Sequence, residues 1–432
     1  MKTQKSKLFA VGLVSGLVAS ALTGQAFAQE SGIPLTFTVS ETVTRDSNLT
    51  RTTQPNSDIT SQTDMRLRLD KFYGRQNYTA SGRFGIARYK NNEQFNNTNY
   101  DLDARFATEI ASNWSVSLSG SAAQNLNSGA NGPANARLDK NVLKARDVDL
   151  SVRYGVAGRW SLVGSLGNSH QSYSSTLQRY QNRDQTSQGL RLVYSPSDLL
   201  NFSVGGSRAQ SEYPNLKPRN STEPEQVTQN SLDLGTNWQV TGFSSLDALV
   251  RLSKNSYKSD SKADYSAVTS RINWGFRPRG ALAYNLAFAR TTDSDASQTA
   301  NRTGNIAATQ AFNDPNQIFP LAVDTSFSTI TTSLNGNVRW TPTAKLGFTL
   351  GLARYNYDVK KEVASSYGFN LVGNPSESDS SNLTQFSMGG DYRYSRLLAF
   401  GCNVQKYKQT VDITRIAYDG HAYGCTASLT LD

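Results

Sequence analysis

Residues 35–44, LTFTVSETVT, alternate between apolar and hydroxyl side chains. Leu35, Phe37 and Val39 share one phase, whereas threonines and a serine occupy the other. Because successive side chains of a β-strand point to opposite faces, the segment predicts a ribbon with one apolar and one hydroxyl face. About ten tilted residues of this kind cross the apolar band of an outer membrane. The unit recurs along the chain, which predicts an all-β fold, a transmembrane outer-membrane β-barrel.

Eighteen segments carry this alternation, and their antiparallel pairing would bring the last, residues 423–431, beside the first. The connections between them alternate in length. Short ones are predicted at 73–76, 195–197, 277–280, 341–344 and 395–396. Long polar ones are predicted at 45–58, 121–141, 168–184, 208–226, 290–327 and 356–381. Outer-membrane barrels have short periplasmic turns and long extracellular loops, and an even strand count puts both termini on the periplasmic side.

The tryptophans give an independent test of this topology. Two begin strands that would run outward and three end strands that would run inward. They are Trp114, Trp160, Trp238, Trp274 and Trp340. All five therefore fall at the periplasmic membrane edge, where aromatic rings prefer the headgroup level. The alternatives, a soluble β-solenoid or a periplasmic sandwich, give no reason for such alignment, and a solenoid requires a fixed repeat that this chain lacks.

The N-terminal residues predict export. Lys2, Lys5 and Lys7 precede a short apolar stretch at 8–22, and an A-x-A cleavage pattern ends at Ala28. We expect residues 1–28 to be a cleaved signal peptide and residues 29–432 to form the barrel of a protein of the bacterial outer membrane. No later run of about 18 apolar residues exists, which excludes transmembrane helices. The mean hydropathy of −0.51 suits a barrel, in which only every second residue is apolar.

Two cysteines, Cys402 and Cys425, lie in the apolar phase of neighbouring predicted strands. An exported chain meets an oxidising periplasm, so this pair predicts a disulfide. Two cysteines and two histidines lack the spacing of a zinc site. His170 and His421 lie near an outer rim without a nucleophile motif. We expect no enzyme activity, no metal, no cofactor and no nucleic-acid partner.

The face opposite the apolar one carries ten arginines and ten carboxylates, which we expect to line the pore. The arginines are Arg66, Arg68, Arg83, Arg105, Arg153, Arg191, Arg251, Arg271, Arg339 and Arg393. The carboxylates are Asp64, Asp70, Asp101, Asp103, Glu109, Asp147, Asp149, Asp233, Asp247 and Asp391. Each arginine has two interpretations, an ion pair with a neighbouring aspartate or a weak site for an anionic or hydroxyl-rich polymer.

Charge and loop composition add two open questions. Three of the 44 basic residues and none of the 34 acidic ones precede residue 29, which leaves the mature chain a net charge of +7. That balance fits either an anionic partner or the headgroups of outer-membrane lipid. The apolar loop segment 301–323 is predicted either to fold inward as a constriction or to cap the rim.

The two ends of the chain resemble the EpsL family of outer-membrane β-barrel proteins from bacterial exopolysaccharide biosynthesis clusters. The matching segments are VSETVTRDSNL at 39–49, GCNV at 401–404, YGC at 423–425 and SLTL at 428–431. The resemblance implies a pore that exports an exopolysaccharide with inner-membrane and periplasmic components of a secretion system. It supplies no catalytic residues. The alternatives are a porin for small solutes, an outer-membrane enzyme and a structural barrel.

Overall fold

A computed structural model provides the coordinates. It describes residues 35–111, 113–127, 140–176, 178–216, 223–258, 264–292, 321–367, 370–373, 376–411 and 416–431. The expected signal peptide, residues 1–28, and most of the expected constriction segment lie outside this part. Within the described ranges, no helix has the length and apolar character needed to cross a membrane.

Nineteen strands account for nearly all the described structure. Their bounds are β1 Leu35–Asp46, β2 Asp58–Tyr73, β3 Gln76–Tyr89, β4 Asn97–Ile110, β5 Trp114–Leu126, β6 Val142–Tyr154, β7 Trp160–Tyr173, β8 Arg183–Ser197, β9 Leu200–Tyr213, β10 Glu225–Thr241, β11 Ser244–Tyr257, β12 Tyr265–Phe276, β13 Leu282–Thr292, β14 Leu321–Trp340, β15 Leu346–Tyr367, β16 Asn370–Gly373, β17 Ser376–Arg393, β18 Leu398–Gln409 and β19 Tyr418–Leu431. Two short 3₁₀ turns, Glu93–Phe95 and Arg179–Gln181, lie in the connections after β3 and β7.

The strands close into one antiparallel barrel. Each long strand pairs with its neighbour in sequence, and β1 pairs with β19, with Val39 opposite Leu429. The short strand β16 pairs only with the end of β15, which continues to β17. Eighteen strands therefore form the wall, as the sequence predicted. Closure satisfies every strand edge, which a bilayer demands because it holds no water to bind free backbone groups.

The outer face of the wall is apolar and uncovered. Leu67, Leu190 and Phe386 keep 46%, 57% and 50% of their surface exposed, values that a soluble protein would avoid in such numbers. The buried hydrophobic clusters are small and lie near the strand ends at the long-loop side. The exposed band replaces a central core, so its solvent is lipid. The protein is a β-barrel of the bacterial outer membrane.

The two ends of the barrel differ as predicted. At one end the connections span two to five residues, and at the other they are longer. The strands reach further into the long loops than the sequence indicated. Residues 321–327, expected in a loop, belong to β14, and Leu321 pairs with Tyr367 of β15. The predicted loop at 356–381 is mostly the extended pairing of β15 with β17. The prediction was wrong here because the parts of strands that extend beyond the membrane need no alternation of apolar side chains, and this alternation was the signal used to predict strands.

The β18–β19 hairpin, whose second strand closes the barrel against β1, is reinforced on its outward face. Cys402 and Cys425 are directly opposed in the β18–β19 register, with 4.1 Å between their Cα atoms, and form a disulfide. Glu41 of β1 interrupts the apolar phase beside this seam. Its carboxylate accepts hydrogen bonds from Ser61 Oγ at 3.0 Å and Thr63 Oγ1 at 2.6 Å. These hydroxyls supply the polar partners that a carboxylate in this position requires.

Candidate functional site: the charged inner wall

The charged residues form rows across β2 to β6 on the inner face. The register places Arg68 opposite Ser81, Ser81 opposite Asp103, Asp103 opposite Ser121 and Ser121 opposite Asp147. Each row therefore alternates charge and hydroxyl at the strand spacing of about 4.8 Å.

The neighbouring row has the same pattern. Arg105 lies opposite Ser119, which lies opposite Asp149. These rows line a recess of about 720 Å³ in the wall, with arginines on its β2–β4 side and aspartates on its β4–β6 side. We call this cavity the wall recess.

Serines contact two of the aspartates of the wall recess, Asp103 and Asp147. Ser81 Oγ lies 3.4 Å from Asp103 Oδ2, and Ser121 Oγ donates to Asp147 Oδ2 at 3.1 Å. These bonds use hydroxyls instead of guanidinium groups as donors. The arginine side of the recess consequently keeps donors that a ligand can engage.

Arg83 is the paired member of this arginine group. It makes a bidentate contact with Asp64, Nε to Oδ1 at 3.0 Å and Nη2 to Oδ2 at 3.1 Å, and lies 3.6 Å from Asp101. Its direct cross-strand neighbour is Arg66. Two opposed cations repel each other, so the diagonal reach of Arg83 to Asp64 relieves that contact. Within the described residues, Arg66 has no carboxylate within ion-pair distance.

A second charged cluster lies across β8 to β11. Asp233 accepts two hydrogen bonds from Arg251, at 2.7 and 2.9 Å, and lies 3.9 Å from Arg191. Arg191 reaches Asp233 over β9, where Gly205 stands between them in the register. A Cβ at Gly205 would lie 2.9 Å from the Leu190 carbonyl and 3.0 Å from the Arg191 Cβ. The glycine is therefore required for this close approach.

The same device recurs between β14 and β17. Arg339 Nη2 donates to both oxygens of Asp391 at 3.0 Å, crossing β15 above Gly347. A Cβ at Gly347 would approach the Arg339 Nη2 and Asp391 Oδ1 atoms to 2.7 Å. Charges on alternate strands thus pair across a gap that a glycine leaves open.

The remaining predicted arginines differ in their contacts. Arg271 lies 3.6 Å from Asp247, and Arg68 lies 3.9 Å from Asp70 with both side chains well exposed. Arg105 donates to Ser117 Oγ at 3.1 Å and Arg153 to Ser161 Oγ at 3.0 Å. Arg393 lies near the periplasmic end of β17 without an ion pair to any described residue. Arg83, Arg251 and Arg339 hold neighbouring strands together through their aspartates. Arg66 has no ion pair with a described residue, and the contacts of Arg68 and Arg105 are exposed, so these three can donate to a passing ligand.

The mouth contains a feature that the sequence did not indicate. The connection 47–57 lies against the inner wall from β18 to β3: Leu49 packs on a cluster with Ala87 and Tyr89, and Arg51 lies over the Tyr407 ring, 3.8 Å from its centroid. Tyr407 is only 2% exposed because this connection and a cluster of wall side chains that includes Tyr418 cover it. A loop of mixed polarity gives no hydropathy signal for folding inward.

Three side chains fasten this connection, and we call them the latch. Arg51 Nη1 contacts Asp46 Oδ2 at 2.8 Å and Tyr407 Oη at 2.6 Å, and Tyr407 Oη donates to Asp46 Oδ1 at 2.5 Å. Arg51 has a φ of 55°, a left-handed conformation that L-residues rarely adopt. The latch contacts offset that strain. The predicted constriction at 301–323 is not comparable, since 301–320 lie outside the described residues and 321–323 are strand.

The five tryptophans lie in the outward phase at the short-turn end. Trp114 and Trp160 begin β5 and β7, and Trp238, Trp274 and Trp340 lie at or near the ends of β10, β12 and β14. Their exposed fractions range from 37% to 57%. Several stack on cross-strand aromatic rings, such as Trp160 on Tyr194 with 4.4 Å between centroids.

The histidines lie away from the wall recess. His170 Nδ1 is 2.6 Å from Asp184 Oδ1 on the outward face, and His421 stacks on Tyr423. The described residues include no group of three or more His, Cys, Asp or Glu side chains that could hold a metal ion.

No protein-family model and no curated protein matches the chain. Solved structures that resemble it include three outer-membrane proteins. The siderophore receptor PirA from Pseudomonas aeruginosa has a TM-score of 0.43 at 10% identity, covering 94% of this chain and 81% of the receptor. OccK5 from Pseudomonas aeruginosa has a TM-score of 0.43 at 11% identity, covering 92% and 98%. The FrpB iron transporter from Neisseria meningitidis has a TM-score of 0.44 at 8% identity, covering 92% and 82%.

Proposed function

We propose that this protein is a passive outer-membrane pore through which an exopolysaccharide leaves the cell. The observation that carries the proposal is the wall recess, where arginine, serine and aspartate alternate along rows that cross five strands. A carbohydrate polymer presents hydroxyl groups, often with carboxylates, at intervals comparable to the strand spacing. Guanidinium groups donate to both, and serine and aspartate accept from hydroxyls.

The recess suits transit because its contacts are weak. A charge pair about 4 Å apart in water contributes only about 1 kcal/mol, so Arg66, Arg68 and Arg105 together supply about 3 kcal/mol at most. Such a site admits a chain without trapping it. The outward direction of transport rests on the resemblance of both chain ends to the EpsL family. The same resemblance adds periplasmic and inner-membrane secretion components as partners.

Deletion of the gene tests the export direction. The expected result is loss of secreted polymer and accumulation of its sugars in the periplasm. Complementation with the wild-type gene restores secretion, which controls for effects on neighbouring genes. Normal secretion by the deletion strain would refute the export proposal but would not refute the conclusion that the protein is a pore.

Conductance in planar bilayers tests the recess. Polymer purified from the wild-type strain should block the current, whereas neutral dextran of similar length should block it less. A variant carrying Arg66→Gln, Arg68→Gln and Arg105→Gln should shorten the blocks by about a hundredfold, the equivalent of about 3 kcal/mol. Arg396→Gln, in the short turn after β17, is the matched control. Equal blocking by the triple variant would show that the recess does not bind the polymer.

A porin for small solutes is the second candidate, and the connection 47–57 favours it because this connection lies against the inner wall and takes up space in the lumen. The porin predicts steady small-ion conductance without any preference for the polymer. Polymer block in the bilayer experiment separates the two candidates.

A further inference from the structure

Two apolar grooves on the outward face each end at an arginine. One, of about 530 Å³, crosses β2 to β6 along the register row Leu67, Gly82, Leu102, Ala122 and Arg146. The other, of about 570 Å³, crosses β6 to β9 and ends at Arg208. Small residues, Gly82 and Ala122, alternate with leucines along the row of the first groove, and the Leu102 side chain lies against Gly82.

The second groove repeats this construction. Val152, Gly164, Leu190 and Gly206 follow one another in its register row, so glycines again open a channel between aliphatic side chains. No atom lies within 4 Å of a Cβ built on Gly164, which shows that the space is open. An aliphatic channel in the lipid-facing band fits an acyl chain.

The arginines stand where a lipid headgroup would lie. Arg208 follows the apolar residues of β9 towards the long-loop end, and Arg146 precedes those of β6 at the same end. The outward phase becomes basic at this level on several strands. Members of this belt are Arg45, Arg88, Arg146, Arg208, Arg354 and Lys406.

The belt differs from the inner wall in its pairing. No described carboxylate forms an ion pair with any of these six cations, whereas Arg83, Arg251 and Arg339 inside the barrel are each paired. Basic residues beside a membrane attract anionic lipid headgroups, so unpaired cations at the edge of the apolar band favour an anionic group of the surrounding lipid. Arginine binds phosphate with its bidentate fork.

We propose that the grooves at Arg146 and Arg208 bind a phosphorylated glycolipid of the outer leaflet. An acyl chain lies in each groove and a phosphate contacts the arginine at its end. We assign the outer leaflet because the belt lies on the long-loop side of the barrel. We assign a negatively charged headgroup because the six cations form no ion pair with a described carboxylate.

Native mass spectrometry of the detergent-purified barrel tests the proposal, with bis-phosphorylated lipid A as the probe. Wild-type protein should bind two lipids, and Arg146→Gln and Arg208→Gln should each weaken one site about tenfold, or about 1.4 kcal/mol. Lys71→Gln, an outward lysine at the periplasmic edge, should bind as wild type. Gly164→Leu places a side chain in the second groove, where its Cβ would meet no atom within 4 Å, and should abolish that site although its wall stays apolar.

Three results would overturn the proposal. If the double variant Arg146→Gln, Arg208→Gln bound lipid A like wild type, the proposed contact between headgroup and arginines would be refuted. If dephosphorylated lipid A bound as tightly as lipid A, phosphate recognition would be refuted. If phosphatidylglycerol bound as tightly as lipid A, the assignment to the outer leaflet would be refuted. Migration of each unheated variant as a folded barrel on a denaturing gel confirms that losses of binding are not losses of fold.

Discussion

Removal of Arg51 should release the connection 47–57 from the inner wall. The Arg51→Ala change deletes the ion pair with Asp46, the hydrogen bond to Tyr407 and the cation–π contact in a single step. It also leaves the Asp46 carboxylate, whose side chain is 9% exposed, with Tyr407 as its remaining partner in the latch. The barrel itself is unaffected because its strands pair independently of this side chain.

The size of the effect follows from burial. Breaking a buried ion pair by removing one partner costs about 3 to 5 kcal/mol. Arg51 keeps 19% of its side chain exposed, so we expect the lower value, about 3 kcal/mol. The free energy of local opening falls by this amount, and amide exchange in the connection accelerates by about a hundredfold.

Hydrogen–deuterium exchange of residues 47–57 measures the change. The informative amides include Asn48, which donates to Asp46 Oδ1 at 2.9 Å, and Thr52, which donates to Asn48 Oδ1 at 3.1 Å. Arg45→Ala, on the same strand but in the outward phase, is the control and should leave exchange unchanged. Unchanged exchange in Arg51→Ala, with the barrel folded, would refute the latch as the restraint on this connection.

Two further changes probe the wall. Reduction of the bond between Cys402 and Cys425, which closes a 23-residue separation, should lower the free energy of unfolding by about 3 kcal/mol while the unheated barrel keeps its gel migration. An unchanged urea midpoint would show that strand pairing alone holds the β18–β19 hairpin. Gly205→Ala should destabilise the barrel by about 1 to 3 kcal/mol, because the new Cβ meets the Leu190 carbonyl. Gly206→Ala is the control and should be neutral, because the nearest neighbour of its Cβ is 3.9 Å away. Equal urea midpoints for the two variants would contradict the close approach across β9.

The sequence predicted the features that alternation encodes. The strand count, the closure of β1 on the last strand and the opposition of Cys402 and Cys425 follow from a period of two combined with antiparallel order. Each depends only on phase, which a lipid-facing band fixes because a one-residue slip would turn every apolar side chain inward.

Other features depend on the angle and reach of side chains, which phase does not encode. The sequence placed Arg83 and Arg66 on the inner face but left open which of them is paired. Arg83 is the paired one because the Asp64 carboxylate lies beside Gly85, within reach of Arg83. The repulsion between the directly opposed Arg66 and Arg83 also favours this pairing. The inward connection at 47–57 and the strand ends beyond the membrane were missed for the same reason, since neither has an apolar phase.

Arg66 and Arg83 offer a matched test of the two roles that charges have in this wall. Each change to glutamine removes one positive charge from the same level of the lumen, so both should shift the reversal potential in a salt gradient towards cation selectivity. Only Arg83→Gln deprives Asp64, 14% exposed, of a bidentate partner. It should lower the free energy of unfolding by about 2 kcal/mol, the cost of lost hydrogen bonds to a charged group.

Arg66→Gln should leave the urea midpoint unchanged or slightly raise it, because it removes a repulsion between directly opposed cations. The reversal potential and the urea midpoint together distinguish an arginine that only affects ion selectivity from one that also stabilises the pairing of strands. Equal loss of stability in both variants would mean that Arg66 has a structural partner, and the wall recess would then lack the free donor on which polymer binding depends. No loss in either would mean that the Arg83 contact contributes nothing to the fold.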